Sequence, residues 1–84
     1  MKRYTDFALY HEGTWRAGEM PKVSGATYVV AYDTRYRAYH IQKDEYEEFI
    51  EWVAQNWEID RAPREDGEEA GDYLERIDVS VREL

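Results

Sequence analysis

The sequence predicts an α+β fold, a small antiparallel sheet of three to five strands packed against one main amphipathic, acidic helix, with a short second helix after it. Three observations carry this. Residues 1–43 alternate apolar and polar side chains between clusters of turn residues, whereas residues 44–57 repeat their apolar side chains every three or four positions. The chain has only 84 residues, so it is expected to form one domain over 1–84, yet 43% of them are hydrophobic and 15% aromatic, enough to build a core.

Residues 4–10 alternate, with Phe7 and Leu9 on one face and Asp6 and Ala8 on the other. Glu12-Gly13 supplies a turn into Thr14-Trp15-Arg16-Ala17, which makes a hairpin. A loop is expected from Gly18 to Gly25. Residues 26–33 and 36–42, rich in Tyr and Val, form a second hairpin around Thr34-Arg35. Neither of those two residues favours positive φ, so a longer turn that uses Asp33 is expected.

Asp44 is expected to cap a helix over 44–57, with Glu47 three residues on as in a capping box. Tyr46, Phe49, Ile50, Val53 and Trp57 form its apolar stripe, and Trp52 widens it. Residues 60–71 read as a loop leading into a short helix near 68–76. Residues 77–83 fit either a strand or a helical stripe; the β-branched Ile77, Val79 and Val81 favour the strand. The expected core is Phe7, Leu9, Val29, Tyr39, Ile41, Phe49, Ile50, Val53 and Trp57.

Composition narrows the chemistry. With no Cys, disulfides, thiolate-bound zinc and thiol catalysis are excluded. Two His and two Ser stand in no nucleophile motif, so an enzyme is not expected. His40 reads as a satisfied or surface histidine. The acids around Gly67 lack the spacing of a calcium loop, and the five Gly form no phosphate cradle, so no metal and no cofactor are expected. No apolar run suits a signal peptide or a membrane span, which points to the cytoplasm.

The formal charge of −8 conceals two unlike halves. Residues 1–43 carry seven basic groups against four acids, a net of +3, and residues 44–84 carry four Arg against fifteen acids, a net of −11. The basic aromatic strand at 35–40 invites a nucleic-acid reading, but the chain as a whole repels nucleic acid, and cross-strand aromatic packing with outward arginines explains it as well. The acids from Asp44 to Asp60 would lie along about 25 Å of helix, where like-charged i,i+4 pairs such as Glu47/Glu51 cost a few tenths of a kcal/mol each. Such an array can substitute for the phosphates of DNA, whose duplex shows one charge per about 1.7 Å.

In this layout of hairpin 26–42, acidic helix 44–57, acidic loop 58–72 and short final apolar segment, the chain resembles the small, acidic, phage-encoded anti-CRISPR proteins that act as DNA mimics. The resemblance covers roughly residues 26–84; the strand pair of the first 25 residues departs from the helical start of the closest such inhibitor. It implies a stoichiometric inhibitor that works by host-defence evasion in the host cytoplasm, filling the basic channel of a nucleic-acid-processing complex through protein–protein interaction, without binding nucleic acid or membrane. The expected partner-binding residues are Glu45, Glu47, Glu48, Glu51, Glu58, Glu65, Asp66, Glu68, Glu69 and Asp72. The alternative is a homodimerising or structural accessory module, whose exposed Tyr/Trp face is the interface and whose acids serve solubility.

Overall fold

A computed structural model describes residues 4–11, 13–18, 24–57 and 61–84. These form strands β1 (Asp6–His11), β2 (Thr14–Ala17), β3 (Ala26–Tyr32), β4 (Arg35–Ile41) and β5 (Ser80–Glu83), and helices α1 (Tyr46–Asn56) and α2 (Ala70–Arg76). The strands make a single antiparallel sheet in the order β2-β1-β4-β3-β5, so the fold is α+β as the patterning predicts.

In the β3–β4 hairpin Tyr32 pairs with Arg35, which leaves Asp33-Thr34 as a two-residue turn. The expected longer turn is therefore corrected. Asp33 takes φ 55°, a left-handed conformation that Asp tolerates better than most residues, and so the tight turn closes without Gly. At the other end of β3, Gly25 lies so close to the Ile41 carbonyl that a Cβ would collide with it.

The register decides which side chains meet the helices. Tyr28 pairs with Tyr39 and Val30 with Arg37, so Tyr28, Val30, Tyr39 and Ile41 share the face that packs on α1. Val29 pairs with Ala38 on the opposite face and is only half-buried, while Val30 is fully buried. The expected Val29 is thus replaced by its neighbour; alternation cannot tell two adjacent Val apart. Phe7 and Leu9 are also only half-buried. Asp6 pairs with Tyr39 and Ala8 with Ala38, so a bulge at Phe7 interrupts the alternation on which their placement rested.

Phe49, Ile50, Val53 and Trp57 are buried as expected, joined by Ala54, and Tyr46 is exposed. The Asp44 cap does not form. A 3₁₀ turn over Lys43–Glu45 comes first, in which the Gln42 carbonyl accepts the Glu45 N–H, and Glu45 becomes the N-cap of α1 with no side-chain capping bond. Trp57 Nε1 donates to the Tyr39 hydroxyl at 2.8 Å inside the core, and the Arg37 guanidinium lies 5.9 Å from the Trp57 ring centre. Arg37 therefore turns toward the helix layer, not outward as expected.

α2 adds Ala70, Tyr73 and Leu74 to the same core. It ends in a Schellman motif. The Val79 N–H reaches the Leu74 carbonyl, the Asp78 N–H reaches that of Glu75, and Asp78 sits at φ 61°. This reversal sends residues 80–83 into the sheet beside β3, resolving the strand-or-helix ambiguity in favour of the strand. No helix among the described residues is long and apolar enough to cross a membrane.

Candidate acidic docking face

The loop between the helices has no helix or strand over residues 61–69 and one internal backbone bond, from the Glu68 N–H to the Glu65 carbonyl, so side chains hold much of the rest. Arg61 donates to the carbonyls of Val53 and Gln55 at 3.3 and 2.8 Å, capping the negative end of α1. Arg64 grips both carboxylate oxygens of Glu51 at 2.9 and 3.1 Å and donates through Nε to the Glu68 carbonyl. Arg76 grips Glu68 in the same two-point fashion, each bond 2.8 Å, and also reaches the Pro63 carbonyl. The Tyr73 hydroxyl donates to the Ala62 carbonyl at 2.6 Å, and its ring lies beneath the guanidinium groups of Arg61 and Arg76.

The two gripped carboxyls are shifted down by these contacts. The bonds from Arg76, followed by the Glu65 N–H, hold the Glu68 carboxyl down to about 2. The Arg64 fork holds Glu51 below the ordinary carboxylate range, and burial pushes the Tyr39 hydroxyl up.

Between α1 and this loop runs an open groove of about 970 Å³. It gathers six of the expected partner-binding acids, Glu47, Glu51, Glu65, Asp66, Glu68 and Glu69, from two separate stretches of sequence. Tyr46 and Ile50 contribute apolar surface to it. Glu47, Glu65, Asp66 and Glu69 are exposed, whereas Glu51 and Glu68 are engaged by Arg64 and Arg76. The remaining acids lie elsewhere: Glu48 is exposed on α1 with its charge acting on Tyr4, Glu45 is half-buried at the start of α1, and Asp72 is exposed on α2. Glu58 falls outside the described residues.

Sequence reasoning treated Arg61, Arg64 and Arg76 only as a charge offset and missed their role as staples. Their signal was present: three Arg and no Lys among the cations of this loop and helix, the residue suited to a two-point grip on a carboxylate. Elsewhere, His40 Nδ1 lies 3.0 Å from the Thr27 hydroxyl across the β3–β4 pair, in accord with a satisfied histidine. No group of three or more His, Asp or Glu suited to a metal occurs among the described residues. Compared with family models, with curated proteins and with solved structures, the chain gives no significant match.

Proposed function

We propose that the protein is a non-enzymatic inhibitor, anti-CRISPR-like in mode, whose acidic groove face occupies the basic nucleic-acid-binding site of a partner complex in place of DNA. One observation carries the reading. Arg64, which lines the groove, and Arg61 and Arg76, which brace its loop, are committed to carbonyls and to the carboxylates of Glu51 and Glu68, while Glu47, Glu65, Asp66 and Glu69 remain exposed around it. If the acids served only solubility, scattered placement would do, with neighbouring cations equally exposed. Here the neighbouring arginines are already paired, Arg64 with Glu51 and Arg76 with Glu68, and four exposed acids stand together, which favours negative potential on one side. Tyr46, 37% exposed beside these acids, offers the aromatic contact area that protein interfaces favour.

The test is competition with DNA. Guide-loaded RNA-guided nuclease complexes are titrated with the protein while binding of a labelled target duplex is followed at increasing salt. The wild type is expected to displace the duplex from one of them, more weakly as salt rises. The combined variant Glu47→Lys, Glu65→Lys, Asp66→Lys, Glu69→Lys is expected to lose displacement. It spares Glu51 and Glu68, so both arginine staples are retained. Equal competition by the variant, or none by the wild type across the complexes, refutes the proposal.

A further inference from the structure

The sheet ends at β2, a four-residue strand that is exposed at every position. It pairs with β1 alone among the described residues. Edge strands are commonly guarded by Lys, Pro or bulges, because their unpaired N–H and C=O groups template another strand. β2 has none of these, and no acid; Arg16 is its single charged residue.

The register shows what the edge presents. Gly18 donates its N–H to the Phe7 carbonyl, and in an antiparallel ladder the hydrogen-bonding direction alternates along the strand. Thr14 and Arg16 therefore face β1, and the backbone groups of Trp15 and Ala17 point away from the sheet. Trp15 also ends a line of rings on the sheet face away from α1: its ring centre is 5.1 Å from that of Tyr10, which is 5.5 Å from that of Tyr36. This spacing is close to the separation of neighbouring strands, about 4.8 Å. The row stops at Trp15, which is 50% exposed.

We infer that a second copy of this chain continues the row, with β2 pairing antiparallel to its counterpart around Trp15 opposite Trp15 across a two-fold axis. In this register the two Trp15 residues exchange both backbone hydrogen bonds, and six rings stand in one line. Arg16 then faces Thr14 of the other copy. The neighbouring register, centred on Arg16, sets two guanidinium groups opposite each other, a destabilising arrangement. The strand of the acidic half, β5, forms the opposite edge of the sheet, four strand spacings or about 19 Å away. The interface is below the ~1,200 Å² of standard complexes, so dissociation on the order of 100 µM is expected. The inference does not depend on the acidic groove, which β2 does not line.

Sedimentation equilibrium of the wild type from 10 µM to 1 mM is expected to show the mean mass rising from 10.1 kDa toward twice that value, and Trp15→Lys is expected to hold it at the monomer. The absence of native Cys makes single-cysteine variants unambiguous: Trp15→Cys is expected to form a disulfide-linked dimer on mild oxidation, and Arg16→Cys is not. A wild type that stays monomeric at 1 mM, a Trp15→Lys variant that still associates, or cross-linking of Arg16→Cys equal to or above that of Trp15→Cys overturns the inference.

Discussion

Replacing Tyr39 with Phe removes one oxygen from the core and almost no volume, which isolates the hydrogen bond that ties the end of α1 to the sheet. Tyr39 is 2% exposed and Trp57 is 4% exposed, so no water can take the place of the lost acceptor. The Trp57 indole N–H, now 2.8 Å from that oxygen, would be left buried without a partner. Such a group costs about 1–3 kcal/mol. Arg37, whose bond to the same hydroxyl favours the ionised phenol, loses that contact too, but it is only half-buried and can turn to solvent. The expected loss is therefore about 2 kcal/mol, and for a domain of this size each kcal/mol lowers Tm by about 4–8 °C. Thermal and urea unfolding followed by far-UV circular dichroism should show Tm falling by about 8–16 °C with an unchanged urea m value. A fall of less than about 2 °C would refute the reasoning, because it would mean that the indole N–H finds another acceptor and that this bond does not fix α1.

Three further outcomes follow from the geometry. Glu68 is held to about 2 in the folded protein against an ordinary 4.5, so the unfolded chain binds the additional proton and the staple's stabilisation, full above 4.5, is lost as pH falls toward 2; in melts across this window Glu68→Gln should flatten the pH dependence and reduce stability at neutral pH. Asp78→Gly should raise stability by about 1 kcal/mol, measured by urea titration, because Gly adopts the left-handed conformation at the end of α2 without the Cβ penalty. Gly25→Ala drives a Cβ into the Ile41 carbonyl and should cost about 3 kcal/mol, seen as a lower urea midpoint, with the β3–β4 amides losing hydrogen-exchange protection.

The parts of this fold legible in the sequence are those in which one periodicity acts alone. Phe49, Ile50, Val53 and Trp57 recur at helical spacing with no competing pattern, and all four are buried. The two hairpins likewise follow from alternation broken by turn residues. Legibility fails where a backbone irregularity shifts the phase: the bulge at Phe7 displaces β1, the 3₁₀ turn before Tyr46 places Asp44 inside a helical turn and moves the N-cap to Glu45, and Asp33 and Asp78 hold left-handed positions that sequence patterns assign to Gly. At the candidate site the acids were legible as composition. Their convergence was not, because Glu47 and Asp66 line one groove only after Arg64 and Arg76 have folded the loop back along α1, and each staple depends on a pairing many residues distant in sequence.

The arginine staples have a consequence for how a partner would meet this surface. A loop without helix or strand ordinarily loses conformational freedom on being gripped, at about 0.5–1.5 kcal/mol for each long side chain immobilised. In residues 61–69 part of that loss has already occurred during folding, since Arg64, Arg76 and Tyr73 hold the loop by the carbonyls of Glu68, Pro63 and Ala62, and Arg61 is anchored on the α1 carbonyls of Val53 and Gln55. The carboxylates stand on a fixed frame that does not have to be assembled at the moment of contact. Complex formation on this face should therefore be limited by diffusion and electrostatic attraction, with little contribution from loop rearrangement.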